Sequence, residues 1–71
     1  MKMVNYCKIN GVVTRIYETS LAYTVVQEFE SGDISEVFSR TKLGSYEAWK
    51  RAEAYYDKKI KEVINGNLER L

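Results

Sequence analysis

The stretch Lys8-Ile9-Asn10-Gly11-Val12-Val13 (KINGVV) decides the fold. Asn-Gly between two strand-like runs supplies the pair of positive φ values that a two-residue type I′ hairpin turn requires. That loop length sets a register in which Ile9 faces Val12, Cys7 faces Thr14 and Asn5 faces Ile16. The other face of the hairpin then carries Val4, Tyr6, Lys8, Val13, Arg15 and Tyr17. Tyr6 lies across from Arg15 there, an arrangement suited to a cation–π pair.

Working outward, Thr19-Ser20 makes the next turn and a third strand runs over residues 21–30. Its odd positions are Leu21, Tyr23, Val25, Gln27 and Phe29, facing the same way as Ile16. Ser31-Gly32 turns the chain into a fourth strand, with Phe29 expected opposite Ile34 and Val25 opposite Phe38. That register aligns apolar with apolar and leaves Glu36 facing Gln27 on the same side. Near Gly44 the composition changes from β-branched and aromatic residues to Ala, Glu, Lys and Trp at helical spacing. Ser45 is the expected N-cap, with Glu47 in the first turn favoured by the helix dipole. Trp49, Ala52, Tyr56, Ile60 and Val63 form one apolar stripe on a helix over 46–64. Asn65-Gly66 stops it. The fold class is α+β: an antiparallel β-meander of three to four strands with one C-terminal amphipathic helix packed on one face. Residues 1–66 form a single domain, and 67–71 a loose tail from which Leu68 and Leu71 can dock.

A chain of 71 residues buries only about 60% of its unfolded surface. Folds of this size usually lean on disulfides, metals or oligomerisation. One cysteine and no histidine supply neither an intrachain disulfide nor the four ligands of a structural zinc site, so oligomerisation or a bound partner is favoured. Lys plus Arg number 11 against 10 for Asp plus Glu, a net charge of +1, which excludes a whole-chain polycation for nucleic acid or membrane. The N-terminus has no apolar h-region and no run is long enough to span a bilayer. With a single thiol, this points to a cytoplasmic protein.

No catalytic constellation is legible. Without histidine, Cys–His and Ser–His pairs are impossible, and no phosphate-binding glycine spacing occurs. Glu28 and Glu30 share a strand face but have no pocket signal for acid–base chemistry. Cys7 reads as a small buried hydrophobe, and Trp49 and Tyr56 as core. No cofactor is implied. The acidic run Glu18, Glu28, Glu30, Asp33, Glu36 is either a solvated hairpin tip that opposes edge aggregation or a surface for a basic partner. The helix residues Lys50, Arg51, Lys58 and Lys61 suit phosphate contacts, or a solvated helix held by the i, i+4 pairs Glu47–Arg51, Asp57–Lys61 and Lys58–Glu62.

One helix covers one face of a small sheet. The covered face is expected to hold Ile9, Val12, Ile16, Leu21, Tyr23 and Val25, with Phe29, Ile34 and Phe38 behind them. The remaining face holds Val4, Tyr6, Val13, Tyr17, Val26 and Val37, with Lys8 and Arg15 among them, and is not polar as a solvated face would be. Strand formers do sit half-exposed for propensity alone. An apolar, aromatic patch with a basic edge nevertheless matches an interface. The protein-binding surface is read as Tyr6, Val13, Arg15, Tyr17 and Val26, with Glu28, Glu30 and Glu36 giving specificity or steering.

The segment KLGSYEAWKRAEAYYDKK (42–59) resembles two groups of DNA-binding domain: that of plant ethylene-response factors and the arm-binding N-terminal domains of tyrosine recombinases. The matched positions are Leu43, Gly44, Tyr46, Glu47, Ala48 and Ala52, and beyond them the likeness is one of topology, strands followed by a helix. In those families the sheet enters the DNA major groove with Arg and Trp side chains. Carried over, this implies DNA contacts from Lys8, Arg15, Tyr17 and Lys42. Here Glu28, Glu30 and Glu36 occupy the later strands, and acidic groups near phosphate oppose binding. In size and composition the chain also resembles small phage and mobile-element proteins, including inhibitors of bacterial defence systems. The expected function is thus a non-enzymatic regulator or inhibitor that binds a protein, or its own copy as a homodimer, through the uncovered sheet face. DNA binding through the same sheet is the alternative. A small-ligand sequesterer built between subunits of an oligomer is a third.

Overall fold

The computed structural model describes residues 1–66; the expected tail and its two leucines lie outside them. Four strands form one antiparallel sheet in sequence order: β1 (Lys2–Ile9), β2 (Val12–Glu18), β3 (Ala22–Phe29) and β4 (Gly32–Ser39). A single helical turn, α1 (Arg40–Leu43), leads into the long helix α2 (Ser45–Ile64). The α+β meander with one C-terminal amphipathic helix on one face is what the sequence pattern predicts. The short α1 is an addition to it.

The β1–β2 turn is as its chemistry demands. Asn10 and Gly11 have φ of 52° and 79°, and Ile9 pairs with Val12, Cys7 with Thr14, Tyr6 with Arg15 and Asn5 with Ile16. The pairing slips between Met3 and Asn5, so that Met3, not Val4, faces Tyr17. Val4 is the extra residue of a β-bulge and packs against the core. Its expected place on the open face is therefore corrected, and Met3 takes it.

The β2–β3 loop has three residues. The Thr19 hydroxyl accepts from the backbone N–H groups of Leu21 and Ala22 at 3.2 and 3.1 Å, and Thr19 N–H donates to the Ala22 carbonyl at 2.9 Å. Leu21 belongs to this loop and is 65% exposed, not a core residue as expected.

The β3–β4 register also differs from expectation. Phe29 pairs with Gly32, Gln27 with Ile34, Val25 with Glu36 and Tyr23 with Phe38. Glu30 and Ser31 form the tip, and Gly32 adopts the φ of 143° that the first residue of β4 requires. The shift is by two residues, so every side chain keeps its face.

The core lies between α2 and the sheet face that carries Ile16, Tyr23 and Val25. Ala48, Ala52, Tyr56 and Val63 are the buried residues of α2, while Trp49 and Ile60 flank them partly buried. The small Ala48 and Ala52 let the helix approach the strands closely. Near its start Trp49 meets Tyr23 with ring centroids 5.2 Å apart, and Tyr55 meets Phe38 at 5.8 Å. Near its end Ile60 and Val63 lie against Cys7, Ile9, Val12 and Thr14, a seam too narrow to admit water. The helix thus crosses from the β3–β4 side to the β1–β2 turn. The opposite corner is left open, which explains why Ile34 is 41% exposed and why Glu36, beside Val25, sits in water rather than in the core.

One polar pair is sealed inside. Gln27, 1% exposed, donates from Nε2 to the Thr14 hydroxyl at 3.1 Å and to the Lys59 carbonyl at 3.3 Å, tying sheet to helix. Its Oε1 is buried without a hydrogen-bond partner among the described residues. Arg40 secures the other end. Its Nη1 donates to the Thr19 carbonyl at 2.6 Å and reaches Glu18 at 3.2 Å, and its Nε donates to the Ser45 hydroxyl at 3.1 Å. The guanidinium also lies 5.1 Å from the Tyr23 ring centroid. Ser45 is therefore the first helical residue and an acceptor for Arg40, not the N-cap. That position is Gly44, with φ of 84°. Among the described residues no helix is long and apolar enough to cross a membrane.

Candidate functional site

The sheet face away from α2 follows from strand parity. Three rows of side chains run across it. Met3, Tyr17, Thr24 and Val37 form the first, at the end of the sheet where β4 finishes. Tyr6, Arg15, Val26 and Ser35 form the middle row, and Lys8, Val13, Glu28 and Asp33 the third. Met3, Tyr6 and Val37 are 49%, 51% and 61% exposed, and Val13, Tyr17 and Val26 are half-buried by their neighbours.

Arg15 occupies the centre of this face, and its environment fixes it. Its Nη1 donates to the Tyr17 hydroxyl at 2.9 Å and lies 3.6 Å from Glu28 Oε2. The guanidinium sits 5.6 Å from the Tyr6 ring centroid, the pairing expected from the hairpin register. The Tyr17 hydrogen bond, then the Glu28 charge, hold it above the ordinary arginine pKa. Its Nε is shielded from water and has no hydrogen-bond partner among the described residues. The centre of the face is thus a cationic, aromatic-flanked spot whose guanidinium is held by its neighbours.

The expected site residues separate into two sets. Tyr6, Lys8, Val13, Arg15, Tyr17, Val26 and Glu28 do share this face. Glu30 lies in the β3–β4 turn, and Glu36 points to the helix side at the exposed corner. These two do not join Glu28 in one acidic surface, because the turn and strand parity divide them. Glu18 is drawn away to Arg40. Lys42 is exposed on α1, outside the strands. Met3, Thr24, Ser35 and Asp33 complete the face. The last three follow from counting alternate positions along the strands. Met3 is placed there by the bulge, which no local sequence signal marks.

The face carries Lys8 and Arg15 against Glu28 and Asp33, so its charge balances. The outer side of α2 is an ordinary solvated helix: Glu47 and Arg51 pair at 2.8 Å. That hydrogen bond with Arg51 lowers the Glu47 carboxyl pKa. At the far end Glu62 pairs with Lys59 at 3.3 Å, not with the expected Lys58. Cys7 carries a thiol partly buried against the core. Among the described residues no group of three His, Cys, Asp or Glu side chains is placed to hold a metal ion. No family model, curated protein or solved structure matches the chain.

Proposed function

We propose that the chain is a non-enzymatic protein-binding module, a small regulator or inhibitor, that uses the sheet face opposite α2. One observation carries this reading. The single long helix lies on one side of the sheet, so Met3, Tyr6 and Val37 stay about half exposed or more around a fixed Arg15. A face half made of apolar and aromatic side chains, with its other charges gathered in one row and an aromatic–arginine cluster at its centre, resembles an interface in composition. A purely solvated antiparallel face alternates to polar residues instead.

DNA binding through Lys8, Arg15, Tyr17 and Lys42 is less well supported. Glu28 engages Arg15, and Asp33 shares its row with Lys8, so the face offers phosphate as much repulsion as attraction.

The test is capture of partners from the native host by the chain and by its Tyr17→Ser, Val26→Ser variant, with folding checked by circular dichroism. Loss of specific capture in a folded variant supports the reading. Unchanged folding, oligomeric state and capture overturn it.

A further inference from the structure

The outer strands of the open face complement each other under a two-fold rotation, and we propose that its occupant is a second copy of this chain. The inference rests on the protein-binding reading and names the partner. In a two-fold dimer each contact occurs twice, residue i on j and j on i. Take the two-fold axis within the interface, parallel to the strands and between β2 and β3. The outer strand β1 then stacks on β4 of the second copy, and β2 on β3. Lys8 lies over Asp33 of the other copy, Met3 over Val37 and Arg15 over Val26. Tyr6 lies over Ser35, Tyr17 over Thr24 and Val13 over Glu28, so that opposite charges meet at one end of the outer strands and the apolar Met3 and Val37 at the other, twice each. With the axis turned across the strands, Lys8 falls over Met3 and Asp33 over Val37, and the charges lose their partners. The sheets stack about 10 Å apart and about 30° from parallel, an offset that a lysine and an aspartate side chain span together.

The size of the face agrees. Four strands about 4.8 Å apart and eight residues long at about 3.3 Å each present roughly 500 Å² per copy. Two such faces bury about 1,000 Å², the lower limit for a specific interface. A dimer at that limit dissociates on dilution. A core this small gains stability from association in any case.

The experiment is sedimentation equilibrium of the full chain over a range of concentrations. It is repeated for Lys8→Glu, for Asp33→Lys, and for the double variant carrying both. The expected result is a reversible dimer. Each single variant should weaken it about ten-fold by placing like charges together, and the double should return to within about three-fold of the parent. Lys58→Glu, on the outer side of α2, should leave the dimer unchanged. A monomer at every concentration overturns the proposal, as does a dimer that the charge reversals do not weaken or the double variant does not restore. A monomer whose specific protein capture still depends on Tyr17 and Val26 overturns the self-pairing alone. A monomer without such capture overturns the protein-binding reading too.

Discussion

Arg15 donates to the hydroxyl of Tyr17, two residues along the same strand and 2.9 Å away. The bond ties the two half-buried side chains together on the open sheet face. Removing the acceptor with Tyr17→Phe should free Arg15 and lower its pKa. It should affect association more than folding. The check is the Arg15 side-chain NMR signal, which should narrow in the variant, with the urea midpoint little changed.

Gln27 and Thr14 make a polar side-chain contact inside the core, at 3.1 Å. Gln27→Ala opens a cavity and strands the Thr14 hydroxyl, at a cost of about 2–4 kcal/mol. Replacing both, Gln27→Leu with Thr14→Val, removes the polar groups together, including the unpartnered Oε1. The double variant should lie within about 1 kcal/mol of the parent in urea unfolding. A double variant as unstable as Gln27→Ala would show that the polar pair itself holds the core.

Arg40 joins the β2–β3 loop, Tyr23 and the start of α2. Arg40→Ala should destabilise the fold by about 1–3 kcal/mol. Arg40→Lys should recover little, because an ammonium cannot place separate N–H groups on Thr19 and Ser45. Thermal unfolding of the two variants checks this.

Tyr56 is buried in α2, and burial first, then the Cys7 and Asp57 charges, raises its pKa. The folded state therefore holds this proton more tightly than the unfolded chain does. The resulting stability is fully present below the ordinary tyrosine value of about 10 and is lost as pH rises through the folded-state pKa. Urea midpoints should fall above about pH 10, and Tyr56→Phe should flatten that fall.

Helix α2 approaches the sheet through Ala48 and Ala52, both 0% exposed. Ala52→Leu should overpack that contact and cost about 1–3 kcal/mol. The cost is read from denaturant unfolding.

The parts of this fold that were legible in the sequence are those set by local chemistry. Asn10-Gly11 fixes its own backbone, and the β1–β2 pairs from Asn5 to Val12 follow from it. Alternation along the strands then identifies the open face, including Tyr6, Arg15 and Tyr17, because a face survives any even shift of register. Non-local terms were not legible. The bulge that sets Val4 against the core and Met3 opposite Tyr17 is one of them. The β3–β4 register depends on where Gly32 uses its positive φ, and apolar matching pointed two residues away. Arg40 carries no local signal of its role, since its partners lie on another loop and another helix. For the same reason the acidic residues looked like one surface. Only the turn at Glu30 and the parity of Glu36 separate them from Glu28.

The most direct test of the central claim follows the methyl signals of valine and isoleucine on dilution. Those of Val13, Val26 and Val37 on the open face should shift as the chain dissociates, while Ile16, Val25 and Val63 in the core hold still. Open-face signals that stay fixed across the whole range, alongside a constant monomer mass, would contradict it.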